Sequence, residues 1–312
     1  MDIVVVGCGA MGSIYAALLA STGNRVAVVD TDARHVDAIN RHGLRVWGAS
    51  GDRTVRLPAH HQPPAMIADL IVCAVKARFA DEAAASMAPM IGPDTLVLTI
   101  QNGLGSAGAV AAHVGPDRLI VGIAQGFGAS LAGPGCAHHN DMKAIRMGAY
   151  RHLAADRVEA IARLWLQAGF DAAAVDDIVA MQWAKLICNV AYSAPCAITG
   201  MTVGEVRDDP HAGAVSRAAA REAFETARAL GISLGFDDPE REVRDFAARM
   251  PKARPSVLLD LQAGRPSEVG VINGAIPTEA AKIGRQAPVN RTLTELVLAL
   301  ERPGSNRAAL KT

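Results

Sequence analysis

The sequence predicts an α/β amino-terminal domain built on a doubly wound parallel sheet, followed by an all-α carboxy-terminal domain. Three observations predict it. Short apolar runs alternate with Ala- and Leu-rich helical runs through the first half, the pattern of buried parallel strands with helices on both faces. A glycine-spaced turn joins the first such strand to the first helix. From Asp177 onward strand signals stop and helical ones continue alone. A length of 312 residues suits two ordinary domains, read here as residues 1–175 and 176–312, with the change near Asp176.

Taken in order, residues 3–6 form a short apolar strand that ends in glycine, and residues 11–19 a helix. Residues 25–29 are a second strand and residues 32–40 a second helix. Residues 70–75, 95–99 and 119–121 are further buried strands, with a helix over residues 81–90 between two of them. Residues 126–147, rich in Gly and carrying a Pro, suit an antiparallel hairpin at the edge of the sheet. A helix over residues 153–167 and a short return at 169–175 close this half. Residues 177–189, 212–230, 239–248 and 292–300 read as helices of the second domain.

Composition narrows the function. Lys and Arg number 31 and so do Asp and Glu, which gives no basic surplus for nucleic acid or anionic lipid. The five cysteines are an odd number with no CxxC pair, as reduced thiols of a cytoplasmic protein would be. The start MDIVVVGCGAMG lacks the form of a signal peptide, and no apolar run is long enough to span a bilayer. The expectation is a soluble cytoplasmic protein with no nucleic-acid or membrane partner. The pairs His60-His61 and His138-His139 are adjacent in extended stretches, where neighbours face opposite ways, so no metal site is expected.

Gly7-Cys8-Gly9-Ala10-Met11-Gly12 is G-x-G-x-x-G placed between strand and helix. Gly7 permits the tight turn, Gly9 lets a pyrophosphate approach the backbone, and Gly12 allows close helix–strand packing. The helix N-terminus offers N–H groups and partial positive charge to the phosphates. The amino-terminal domain is therefore a Rossmann-type dinucleotide-binding domain. Asp30 ends the second strand, eighteen residues past Gly12. A carboxylate there accepts from a ribose diol and repels a 2′-phosphate, which favours NAD(H). Arg34 could meet such a phosphate and keeps NADP(H) open. Asp30 could also be the N-cap of the next helix.

Polar residues punctuate three apolar segments. Lys76 ends Val72-Cys73-Ala74-Val75-Lys76, and Asn102 lies in Thr99-Ile100-Gln101-Asn102-Gly103, both at strand ends where a doubly wound sheet binds its ligand. Lys185, Asn189 and Ser193 are spaced i, i+4, i+8 and share a helical face among apolar neighbours. Such a lysine must reach water, a carboxylate or a substrate.

In this order, these segments resemble the ketopantoate reductase family. Ser256-x-x-x-Asp260-x-x-x-Gly264-Arg265-x-x-Glu268-x-x-x-x-Asn273-Gly274 resembles the family's C-terminal signature. The resemblance runs from about Met1 to Glu301. It implies a nicotinamide-dependent reduction of a small branched 2-oxo acid to the 2-hydroxy acid, with 2-dehydropantoate the first candidate. It also implies Lys185 as proton donor, Asn102 ordering nicotinamide and substrate, and Asn189 and Ser256 binding the substrate's ends. Glu268 would lie near Lys185 and the cofactor, and Lys76 would line the cofactor crevice. Hydride attack on a ketone leaves an alkoxide, which a nearby ammonium stabilises and protonates. A homodimer is the assembly that the class suggests.

The chain also departs from the pattern. Ser193 and Ala194 stand where the family usually has Asn and Pro, Gly270 where an acid is common, and Leu259 where Gln is common. Asp30 replaces a more usual basic or neutral residue. These changes leave room for a D-2-hydroxy-acid dehydrogenase of the same family acting on another 2-oxo acid, with Ser193 in the substrate site. Two other classes share part of this pattern. A β-hydroxyacid dehydrogenase shares G-x-G-x-M-G and a helical Lys-x-x-x-Asn, but the approach to Lys185 here contains no glycine. A non-catalytic NAD(P) sensor would have no use for Lys185, Asn189, Ser256 and Glu268 together.

Overall fold

Valine fills three of the five positions in each of the strands Asp2–Val6 and Arg25–Val29, and its β-branched side chains suit a sheet buried on both faces. The structure, a computed structural model, describes residues 1–126, 128–141 and 144–302. Its strands are β1 (Asp2–Val6), β2 (Arg25–Val29), β3 (Leu44–Gly48), β4 (Arg53–Val55), β5 (Ala59–His60), β6 (Leu70–Cys73), β7 (Leu96–Thr99), β8 (Leu119–Gln125), β9 (Gly128–Gly133), β10 (Cys136–Asp141), β11 (Ala144–Ala149) and β12 (Asp171–Ala174). Its helices are α1 (Ala10–Ala20), α2 (Ala33–His42), α3 (Ala80–Ser86), α4 (Ser106–Val114), α5 (Ala155–Gln167), α6 (Ile178–Thr199), α7 (Val203–Asp208), α8 (Pro210–Ala229), α9 (Pro239–Arg249), α10 (Ser256–Gln262), α11 (Ala275–Ala281) and α12 (Pro288–Glu301).

Two compact units result: Met1–Gln101 with Ser106–Ile178, and Asn102–Gly105 with the chain from Val179. In the first, eight strands form one sheet in the order β12-β11-β8-β7-β6-β1-β2-β5. All its pairings are parallel except β11 with β8. Alternation along β1 splits its side chains between two cores. Ile3 and Val5 pack with α1, α2 and α5, while Val4 and Val6 pack with α3 and α4. β1 has β2 on one side and β6 on the other. Strand order reverses there, and such a switch point at the strands' carboxyl ends is where doubly wound sheets bind ligands.

The hairpin expected over residues 126–147 is relocated. β9 and β10 do pair antiparallel, but in a separate four-stranded sheet, β4-β3-β10-β9, in which β10 runs parallel to β3. β11 then returns to the main sheet beside β8. Residues 127, 142 and 143 lie outside the described residues.

Among its described residues the second unit contains helices and no strand. α6 runs ten residues past the expected end at Asn189, to Thr199, although Pro195 lies inside it. It stops at Gly200, whose φ of +77° ends the helix. Its apolar flank forms the middle of a core shared with α7–α12.

Candidate active site

The glycine turn in the first unit has the shape that a dinucleotide needs. Gly7 has φ +91°, and a Cβ there would lie 2.6 Å from the Val75 nitrogen. A Cβ on Gly12 would lie 1.9 Å from the Gly7 carbonyl oxygen, so only glycine lets α1 start this close to the strand. A Cβ on Gly9 would meet nothing within 4 Å. The space beside Gly9 is thus open to a pyrophosphate. Gly9 caps α1, whose first turn carries no acidic residue to repel an anion. Ala10, Met11 and Gly12 supply the first-turn N–H groups. Cys8 faces inward, fully buried, and its carbonyl accepts the Ser13 hydroxyl at 3.0 Å. Burial pushes its thiol up to about 12, so it contributes packing and backbone rather than a reactive sulfur.

Asp30 follows β2 and is half-buried. Its Oδ1 accepts the Asp32 backbone N–H at 2.9 Å. The N-cap of α2 is Asp32, which accepts the Arg34 N–H at 3.0 Å, so Asp30 is not the helix cap. Lys76 is half-buried, three residues past β6, and opens a short 3-10 turn, Ala77–Phe79. Gln101 ties these strand ends together. Its amide donates to the carbonyls of Cys73 at 2.7 Å and Val75 at 3.2 Å, and its Oε1 accepts the Thr99 hydroxyl. The sequence pattern alone does not assign Gln101 this role. An amide can bond on both sides at once, and a Gln just past a strand end was the signal available.

The second unit gathers Lys185, Asn102 and Glu268. The Lys185 ammonium donates to Asn102 Oδ1 at 2.8 Å. Burial lowers its pKa to about 8, against the opposing pull of the Glu268 carboxylate. Asn102 reaches it because the loop Asn102–Gly105 lies against the 3-10 turn Val269–Val271. Gly103 has φ +78°, and a Cβ there would sit 2.0 Å from the Val271 carbonyl oxygen. The Leu104 N–H donates to that same oxygen at 3.0 Å. Glu268 is the residue just before this turn.

Asn189 and Ser193 stand one and two turns beyond Lys185 on α6, Asn189 half-buried and Ser193 buried. Ser256 is the first residue of α10 and is exposed. Much of the C-terminal signature serves the framework. Gly264 has φ +69° and ends α10, with the Arg265 N–H donating to the Asp260 carbonyl at 2.8 Å. Arg265 also donates to the Asp260 carboxylate at 3.0 Å. Asn273, fully buried, donates to the Val190 carbonyl of α6 at 3.0 Å and to Asn290 Oδ1 at 2.9 Å.

No group of three or more His, Cys, Asp or Glu that could hold a metal ion occurs among the described residues. His138 Nδ1 meets Asn140 Oδ1 and His139 Nδ1 meets the Ser50 hydroxyl. No described helix is long and apolar enough to cross a membrane.

Two family models match this chain: "Ketopantoate reductase PanE/ApbA" over residues 3–152 and "Ketopantoate reductase PanE/ApbA C terminal" over residues 177–301. A 2-dehydropantoate 2-reductase of Halobacterium salinarum is 30% identical over 305 residues, covering 97% of this chain and all of that protein. Among solved structures, a PanE/ApbA family ketopantoate reductase from Ralstonia eutropha is 31% identical, with a TM-score of 0.88 over 96% of this chain and 98% of its own. A D-mandelate dehydrogenase in a ternary structure with NADH and anilino(oxo)acetate is 25% identical, with a TM-score of 0.89 over the same shares.

Proposed function

The chain belongs to the ketopantoate reductase family, and from that premise we propose that it reduces a small branched 2-oxo acid to the 2-hydroxy acid, with Lys185 as proton donor and 2-dehydropantoate as the first candidate substrate. It is an NAD(P)-dependent oxidoreductase acting on CH–OH groups, as the family's members are. The observation that carries the reading is the Lys185 ammonium held on Asn102 Oδ1 at 2.8 Å.

Several features of the site support it. The glycine turn at Gly7, Gly9 and Gly12, with Cys8, Ala10 and Met11 between, would hold the pyrophosphate, Asp30 the adenosine ribose, and Lys76 the crevice beside it. When bound, the dinucleotide supplies the hydride. Lys185 meets the charge that develops on the substrate oxygen and then gives up its proton. Burial makes its ammonium a stronger acid than an exposed lysine, and the Glu268 carboxylate offsets part of that effect. Asn102 accepts one Nζ–H and thereby aims the others. Its own amide hydrogens remain donors for substrate or nicotinamide. Asn189, Ser193 and Ser256 would take the substrate's hydroxyl and carboxylate ends.

A second reading, a D-2-hydroxy-acid dehydrogenase acting on another 2-oxo acid, is favoured by Ser193 in place of the family's amide and by the likeness to D-mandelate dehydrogenase. Turnover with NADH and NADPH on a panel of aliphatic and aromatic 2-oxo acids separates the two. Lys185→Ala should lower kcat by on the order of 100- to 10,000-fold while dinucleotide binding, followed by fluorescence, survives. Lys185→Arg should not restore the rate, because a guanidinium is too weak an acid. An alanine variant that keeps more than about a third of wild-type kcat, with a deuterated cofactor showing chemistry to be rate-limiting, removes Lys185 from this role.

A further inference from the structure

We infer that Asp32 sets the choice between NAD and NADP by occupying Arg34, an inference that rests on the dinucleotide-dependent reduction proposed above. β1 and β2 run side by side with Val6 against Val29, and the Gly7 N–H donates to the Val29 carbonyl at 2.8 Å. Asp30 is the next residue, so the β2–α2 connection begins beside the glycine turn. Its backbone is pinned, with the Asp30 N–H donating to the His60 carbonyl at 3.0 Å and the Asp32 N–H to Asp30 Oδ1 at 2.9 Å.

Arg34, in the first turn of α2 just past this connection, could bind a 2′-phosphate, since a guanidinium fork matches phosphate oxygens. The neighbouring His35 points inward, buried, with Nδ1 accepting the Gly135 N–H at 3.0 Å. Arg34 already faces a carboxylate. Asp32 Oδ1 accepts the Arg34 backbone N–H at 3.0 Å and lies 3.5 Å from the Arg34 Nε. Because Asp32 is the N-cap of α2, its carboxylate is fixed before any ligand arrives. An exposed ion pair is weak when both side chains must be ordered to form it. Here one of the two is ordered by the cap. The connection therefore presents two carboxylates and one engaged guanidinium, a balance that suits an uncharged ribose diol and opposes a phosphate.

The test is kcat/KM with NADH and with NADPH for the purified full-length wild type, Asp32→Asn, Arg34→Ala and the double variant. Asn caps helices as well as Asp does, so α2 should persist, and circular dichroism checks this. Asp32→Asn should raise the NADPH-to-NADH ratio by about 3- to 10-fold, the size of a single charge acting across several ångström of hydrated surface. Adding Arg34→Ala should abolish that gain. Raising the salt should shrink it. A gain that persists in the double variant overturns the inference, because Asp32 would then act by repulsion alone. An unchanged ratio in Asp32→Asn overturns it as well. A wild type inactive with both cofactors on every 2-oxo acid defeats the parent reading instead.

Discussion

Replacing Gly103 by alanine tests the geometry on which the proposed proton donor depends. The added Cβ would lie 2.0 Å from the Val271 carbonyl oxygen, where ordinary contact begins near 3.4 Å, and φ +78° is strained for any L side chain. The loop must therefore withdraw by more than about 1 Å, and a misplacement of that size can cost on the order of 100-fold in rate. Withdrawal also loosens the Leu104–Val271 hydrogen bond and carries Asn102 Oδ1 away from its 2.8 Å contact with Lys185. The left-handed backbone adds about 1–2 kcal/mol of strain and the weakened hydrogen bond about 1 kcal/mol. A Tm lowered by several degrees should thus accompany a kcat lowered by about two orders of magnitude. Stopped-flow absorbance of the reduced nicotinamide at saturating cofactor measures the rate, and scanning calorimetry the Tm. If Gly103→Ala keeps more than about a third of wild-type kcat while its Tm falls as expected, Asn102 does not aim Lys185.

Two further outcomes follow from titrating groups. With its pKa lowered to about 8 by burial, Lys185 should lose its proton as pH rises through that value, so the reductive kcat should fall there and the reverse oxidation should rise. A reductive rate that stays level to about pH 10, near the ordinary lysine value, contradicts Lys185 as the acid. Burial likewise holds the His139 imidazole below its usual range. The unfolded chain then takes up a proton that the folded state resists, so stability is complete above about pH 6.5 and declines as pH falls toward the folded pKa. Tm between pH 5 and 8 should show this slope, and His139→Gln should flatten it. Equal slopes in the two proteins would remove His139 as its source.

What the sequence revealed was local or periodic. The strand–turn–helix at Gly7 and the helix that carries Lys185, Asn189 and Ser193 depend only on near neighbours, and both elements are present. β5 is two residues long and β4 three, too short for alternation to register against their charged flanks. Residues 126–147 carried a hairpin signal, but which sheet a hairpin joins depends on a remote partner, here β3. Asp30 reads as a possible cap because the expected helix starts at residue 32, whereas α2 starts at Ala33 and Asp32 caps it. The backbone hydrogen bond to Arg34 decides it. The role of Gly103 was beyond reach. Its positive φ fits any tight turn, whereas its closeness to Val271 is a contact across more than 160 residues.

One short segment, residues 268–273, accounts for the cohesion of the proposed site. Glu268 at its start opposes the effect of burial on Lys185. The Val271 carbonyl in its middle holds the loop that carries Asn102. Asn273 at its end bonds α6 itself, at the Val190 carbonyl. That last contact falls where α6 is weakest. Pro195 has no N–H to give the Ala191 carbonyl, so the helix loses a rung one residue beyond Val190. Asn273 braces the helix there, just past Asn189, from the same segment that positions the other two groups. Three residues far apart in sequence are thus referred to one piece of backbone, and Gly274 keeps that piece tight, since a Cβ there would lie 2.5 Å from the Gly270 carbonyl oxygen. Lys185, Asn102 and Glu268, the proposed acid, its aiming amide and its balancing carboxylate, can then stay in register although no single secondary-structure element contains all three.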